Sequence, residues 1–328
     1  MTGTILITGG AGFIGSNLVH RWHRNHPEDR ILVLDLLTYA ADPKQLEGLE
    51  RVELVVGDIQ NQELVRYLIE KNGVSKIFHL AAESHVDRSI TGPSAFIQTN
   101  LGGTFSMLEA ARQAWAGQMD CRFLHISTDE VYGSLGESGK FHETMIYAPN
   151  SPYSASKAGS DHLVRAYHHT YGLNTLTTNC SNNYGPRQHP EKLIPLAISR
   201  MVKGDLIPIY GDGQNVRDWL YVEDHCAALE TVMLKGVAGE TYCIGGDNEQ
   251  NNLDLINELC DTVDSQLGRT QGTSRKLKSF VQDRAGHDRR YAIDATKIRK
   301  KLGWSPVESF AGGLSRTVAW YLGRLSAR

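Results

Sequence analysis

The chain has 328 residues, 41% hydrophobic and 22% charged, with a formal net charge of −3. That balance excludes a disordered or fibrous chain, and it argues against a nucleic-acid partner, which would need accumulated Lys and Arg. The length allows one large α/β unit or a main domain with a smaller second one. Five widely spaced cysteines (Cys121, Cys180, Cys226, Cys243, Cys260) without a Cys-x-x-Cys pair point to reduced thiols, with neither a disulfide framework nor a metal site expected.

Thr4–Thr8 reads directly as a strand, so no signal peptide is expected to open the chain, and no apolar run is long enough to span a bilayer. The expected compartment is the cytoplasm, with no membrane partner. Further apolar, β-branched runs recur at Ile31–Asp35, Val52–Val56, Lys76–Leu80, Phe123–Ser127 and Thr175–Thr178. Helix-length segments lie between most of them, with apolar residues at helical spacing such as Leu64, Val65, Leu68 and Ile69. Strands alternating with helices predict a Rossmann-type, doubly wound parallel sheet covered on both faces. After Cys180 the regularity breaks. Helices are expected at Leu193–Val202, Val222–Leu234, Leu253–Leu267, Ala295–Leu302 and Phe310–Leu325, and a strand at Thr241–Ile244. No repeat or flexible linker separates the halves. Residues 1–180 are therefore expected to form the nucleotide-binding domain, to which some later segments return, and 181–328 a smaller, mixed, substrate-binding lobe packed against it.

The first motif, Thr8-Gly9-Gly10-Ala11-Gly12-Phe13-Ile14-Gly15, directly follows the first strand. Glycines at such a turn let backbone N–H groups approach a pyrophosphate while the next helix presents its positive end. The second strand ends at Asp35, about twenty residues on, where a carboxylate can accept from the ribose hydroxyls and repel a 2′-phosphate. NAD is thus favoured over NADP. Gly57-Asp58-Ile59 and Leu80-Ala81-Ala82 follow the third and fourth strands at their carboxyl ends, where open α/β sheets bind ligands.

The second motif is Tyr153-x-x-x-Lys157 on a helix expected to begin near Pro152. Thirteen tyrosines make a chance match unsurprising, and Tyr67 with Lys71 gives one, assigned to a surface helix. Tyr153, however, follows a strand end, where a lysine ammonium and an oxidised nicotinamide would favour its phenolate. It could then take a proton from a secondary alcohol as hydride leaves the carbon. The third motif, Ser127-Thr128-Asp129-Glu130-Val131-Tyr132-Gly133, adds a hydroxyl and two carboxyls at a strand end. Alcohol oxidation or epimerisation needs only Thr128, Tyr153 and Lys157. An elimination needs one group to remove a carbon-bound proton and another to protonate a departing hydroxyl, and a carboxyl pair with split pKa values can do both. A nucleotide-sugar epimerase or decarboxylase stays open on these residues. A non-catalytic NAD sensor would have no need of the intact Thr128, Tyr153 and Lys157.

Read together, these segments resemble the extended short-chain dehydrogenases/reductases and, within them, the dTDP-glucose 4,6-dehydratase family. The likeness runs through Ala81–Ile90, Ser151–Ala158, Asn179–Pro186, Pro190–Pro195, Val216–His225 and Gly286–Lys297. Leu36 and Ala41-Asp42 depart from the family's usual Lys and Gly-Asn beside the cofactor ribose. The resemblance implies NAD as cofactor and a nucleotide-diphospho-sugar as substrate, with oxidation at C4, loss of water across C5 and C6, and hydride return to C6. Tyr153 and Lys157 would serve the oxidation, Glu130 would be the base at C5 and Asp129 the acid at the C6 oxygen. Thr38, Ser84, Thr99 and Asn183 complete the implied cofactor contacts. His85, Thr128, Asn182, Lys192, Pro208, Tyr210, Arg217, Asn252, Arg284 and His287 are the implied substrate contacts. Dimerisation through helices Pro93–Ala116 and Pro152–Tyr171 is implied as well.

Overall fold

The computed structural model describes residues 3–118, 120–283 and 288–326. Six strands come from the first part of the chain: β1 (Thr4–Thr8), β2 (Arg30–Asp35), β3 (Val52–Val56), β4 (Val74–His79), β5 (Arg122–Thr128) and β6 (Thr175–Cys180). The helices between them are α1 (Phe13–Asn25), α2 (Gln62–Asn72), α3 (Val86–Thr91), α4 (Pro93–Phe96), α5 (Thr104–Ala114) and α6 (Pro152–Tyr171). Later come β7 (Asn182–Tyr184), α7 (Leu193–Lys203), β8 (Ile207–Tyr210), β9 (Val216–Tyr221), α8 (Val222–Lys235), β10 (Thr241–Ile244) and β11 (Glu249–Asn251). The chain closes with α9 (Asn252–Gln266), β12 (Lys278–Val281), α10 (Thr296–Leu302) and α11 (Phe310–Ser326).

The main sheet is parallel throughout, in the order β10-β6-β5-β4-β1-β2-β3. Its strands are apolar on both faces because both are covered. Ile5, Ile7, Ile31 and Val33 enter one core with α1 and α8, while Leu6, Leu32 and Leu34 enter another with α2 and α5. Strand order runs outward in both directions from the neighbours β1 and β4, which opens a crevice at their carboxyl ends. β10 and α8 belong to this layered body although they lie late in the chain.

A third core, around Tyr184, Ile198, Met201, Ile209, Trp219, Leu255, Leu259, Leu314 and Val318, packs α7, α9 and α11 on two small sheets. In one sheet β9 pairs in parallel with β7 and antiparallel with β11; in the other β8 pairs in parallel with β12. The sequence reading contains none of these five short strands. Asn182-Asn183-Tyr184 and Glu249-Gln250-Asn251 carry no alternation to detect. A second difference is the helix expected at Pro93–Ala116. It breaks into α4, a π-helical segment at Ile97–Gly103, and α5. The wide turn lets Asn100 leave the helix and exchange hydrogen bonds with the Glu83 backbone, at 2.8 and 3.0 Å.

Candidate active site

The glycine turn forms where its sequence demands it. Gly9 has φ +69°, and a Cβ there would lie 2.8 Å from the Ala81 nitrogen beyond β4; a Cβ on Gly15 would lie 2.1 Å from the Gly9 oxygen. These glycines leave room where the crevice opens, at the start of α1. Asp35, buried at the end of β2, fixes the turn: its carboxylate accepts from Ala11 N (3.0 Å) and Leu37 N (2.9 Å). Leu36, between them, points outward and is 52% exposed. Thr8 completes the floor, its hydroxyl accepting from Ala81 N (3.1 Å) and facing His79 Nδ1 (2.8 Å).

All the residues expected at the cofactor line one cleft at this crevice. They are Gly9, Gly12, Phe13, Ile14, Gly15, Asp35, Thr38, Asp58, Ile59, Leu80, Ala81, Ala82, Ser84, Thr99, Tyr153, Lys157 and Asn183. Thr128, Asp129 and Glu130 share it, as do His85, Asn182 and Lys192. The cleft therefore joins a glycine cradle that a Cβ would fill to a redox pair and a carboxyl pair, and this fits a dinucleotide.

Tyr153 and Lys157 take their places from the start of α6. Ser151 and Ser154 form a reciprocal capping box (3.0 Å each way), with Pro152 at the first helical position, so the two side chains lie one turn apart on one face. Lys157 is buried and donates to the Ile126 carbonyl (2.8 Å). Burial lowers its pKa to about 8. Tyr153 departs from the expectation. Burial first, then the charge of Glu130, hold its phenol well above the usual range. Lys157 is turned toward the Ile126 carbonyl and His125, and none of its contacts among the described residues lowers the phenol.

β5 ends at Thr128, which caps a single 3-10 turn, Asp129–Tyr132, by accepting from Glu130 N (3.3 Å). The turn sets Asp129 and Glu130 into the cleft from adjacent positions. Asp129 is 2% exposed, and its Oδ2 has no hydrogen-bond partner among the described residues. Burial, then the charges of Glu130 and Asp218, raise its pKa well above the carboxylate range, so it is held as the acid.

The distal candidates are spread over the second lobe. Lys192 caps α7 and reaches back to the Ser84 carbonyl (3.3 Å). Arg217 is buried outside the cleft lining, donating to the carbonyls of Val216 (2.7 Å) and Asp288 (2.9 Å) and stacking on Tyr291. Pro208 and Tyr210 lie on β8 and Asn252 opens α9, also outside that lining. Arg284 and His287 fall outside the described residues. Sequence reasoning missed Asn100, whose Nδ2 donates to Ser156 Oγ (2.9 Å) and to the Glu83 carbonyl (3.0 Å), tying α6 to the loop after β4. It missed also the contact across the cleft mouth, where Arg88 stacks on Tyr39 and pairs with Glu191 (2.8 Å). Gly102-Gly103, interrupting a helical pattern, is the one signal that could have found the first.

The family model for GDP-mannose 4,6 dehydratase matches residues 6–317. A dTDP-glucose 4,6-dehydratase of Xanthomonas campestris pv. campestris is 54% identical over 328 residues, covering 97% of this chain and 93% of the relative. The crystal structure of a dTDP-glucose 4,6-dehydratase from Streptomyces venezuelae, with NAD bound, matches at 46% identity and a TM-score of 0.90, covering 99% of this chain and 98% of that one. A UDP-glucose 4-epimerase of Thermotoga maritima shares the fold at 29% identity and a TM-score of 0.88, covering 98% of this chain and 99% of that one.

Proposed function

The chain belongs to the GDP-mannose 4,6-dehydratase family and within it stands with the dTDP-glucose 4,6-dehydratases, and on that premise we propose the following reading of its site. The protein is an NAD-dependent lyase that converts dTDP-glucose to dTDP-4-keto-6-deoxyglucose, a step of deoxysugar biosynthesis. The observation that carries the reading is the split carboxyl pair: Asp129, buried and held protonated with a free Oδ2, beside Glu130 on the same turn. An epimerase needs no such pair.

Bound NAD supplies the acceptor for the C4 hydride and, later, the donor for C6. Tyr153 takes the C4 hydroxyl proton as the ketone forms, with Thr128 hydrogen-bonded to the same oxygen. Lys157, one turn further along the same face of α6, would supply the ammonium for that phenolate and for the cofactor ribose. The C4 ketone makes the C5 proton acidic, because the electrons left behind delocalise as an enolate. Glu130 removes that proton; the C6–O bond breaks and Asp129 protonates the departing oxygen, which leaves as water. A proton returned to C5 completes the product, so sugar and water together balance the substrate.

Gly9, Gly12 and Gly15 receive the pyrophosphate, and Asp35 the adenosine ribose, where its charge disfavours a 2′-phosphate. His85, Asn182 and Lys192 hold the sugar-diphosphate portion, and Pro208, Tyr210, Arg217 and Asn252 the more distant part. The chain pairs with a second copy through the helices around 93–116 and 152–171.

A substrate carrying deuterium at C4 tests the reaction. Deuterium should appear in the C6 methyl group of the product, with a solvent-derived hydrogen at C5 and no net NADH. Deuterium retained at C4 would favour epimerisation, and deuterium lost to free NADH a simple dehydrogenase.

A further inference from the structure

Behind Lys157 lies a buried polar group that the reaction above does not use. His125, on β5, is completely buried; its Nε2 lies 3.4 Å from Lys157 Nζ and 3.2 Å from Asp161 Oδ1. Asp161 follows Lys157 by four residues, as Lys157 follows Tyr153, so the three share one stripe of α6. Its other oxygen accepts from Tyr147 Oη (2.9 Å) and Asn179 Nδ2 (3.0 Å). The same Asn179 amide donates to the Thr128 carbonyl at the end of β5 (3.1 Å). The group thus reaches from the lysine to the backbone of the catalytic turn.

A buried ammonium without a counter-charge gives up its proton. The titratable groups facing Lys157 are Tyr153 and Asp161 from α6, His125 from β5, Cys180 from β6 and, one strand further, His79 from β4. Both histidines are kept neutral, chiefly by burial; His125 is lowered to about 4. Burial likewise pushes the Cys180 thiol up to about 12, so it carries no charge. Asp161 is held ionised: burial opposes this, but its hydrogen bonds and the positive charge of Lys157 outweigh it. Among these groups it alone supplies an anion in the resting protein. A carboxylate only accepts and an ammonium only donates, so His125 Nε2, which faces both, can serve one of them at a time.

We propose that Asp161 is the positioning residue of this site, the counter-ion that holds the Lys157 ammonium charged, with the neutral ring of His125 packed between them. It does not line the cleft. The assignment rests on the dehydratase reading, in which Lys157 must be charged while Tyr153 takes the C4 proton. The test follows NADH formation in a single turnover of dTDP-glucose by the NAD-loaded protein as a function of pH. In Asp161→Asn the basic limb of the profile should move toward acid by about one pH unit or more, because a charge at this range shifts a partner by that amount. Loss of the Tyr147 and Asn179 hydrogen bonds alone would lower thermal stability and leave the limb in place. An unmoved limb overturns the inference but not the dehydratase reading; a wild-type protein that forms no keto product overturns that reading itself. Should Asp161→Asn not fold, isotope-labelled lysine in the wild-type protein decides. A charged Lys157 ammonium at neutral pH supports the inference, and a neutral amine there overturns it.

Discussion

At the scale of single residues, the chemistry rests on two carboxyls one position apart whose surroundings differ. Asp129 is enclosed, and burial with the negative charges of Glu130 and Asp218 keeps its proton on. Glu130 is only partly buried on the same turn. One sequence motif thus supplies an acid and a base, assigned by environment. Glu130→Gln removes the base without touching Thr128, Tyr153 or Lys157. Rapid mixing with substrate should then show NADH accumulating while loss of the C6 oxygen falls by at least ~100-fold, the ordinary contribution of a positioned base. Full dehydratase turnover in this variant would remove Glu130 from the mechanism. Tyr153 shows where residue-level reading from sequence falls short. Its motif and helix were legible, but its resting pKa depends on burial and on Glu130, neither of which spacing encodes.

At the scale of elements, legibility followed periodicity. β1, β3 and β10 have the bounds read from sequence, because their apolar runs are short and closed by turn residues. α6 begins at Pro152 as read, since the Ser151 cap and Pro152 are local signals. The π-helical segment was not legible: it depends on Asn100 meeting Glu83 and Ser156, which are distant in sequence. Asp161 was visible as a residue but not as a partner of Lys157, because His125 reaches it from another strand. The same helices bear on assembly. Around the π-helical segment, Ile97 and Phe105 are 47% and 46% exposed, and Tyr171 at the end of α6 is 55% exposed. Apolar side chains on two adjoining helices are what an isologous pairing would cover. Phe105→Glu should therefore halve the mass seen by light scattering at micromolar concentration while the far-ultraviolet circular dichroism stays unchanged. A wild-type protein already monomeric under those conditions would defeat the pairing.

At the scale of the whole molecule, the site's protonation states make stability depend on pH. His79, His125 and His225 are completely buried or nearly so, and burial is the first cause that keeps each ring neutral, with His125 lowered to about 4 and His225 to about 3. In the unfolded chain each takes a proton near its ordinary value of about 6.5. Below that pH the unfolded state binds protons on these rings that the native state refuses, so they make stability fall as pH falls from about 6.5 toward 4. Asp129 and Asp218 act in the opposite sense. Burial raises both, and Asp129, held well above the carboxylate range, keeps a proton that the unfolded chain has released above about pH 4. Asp129→Asn removes one opposing proton, so its stability should fall more steeply over the same window, by about 1.4 kcal/mol per pH unit at most. Urea unfolding of both proteins between about pH 6.5 and 5 gives the two slopes. Equal slopes would mean that Asp129 is ionised in the native protein. A carboxylate at that position cannot protonate a leaving hydroxyl, so the same melting curves also test its role as the acid.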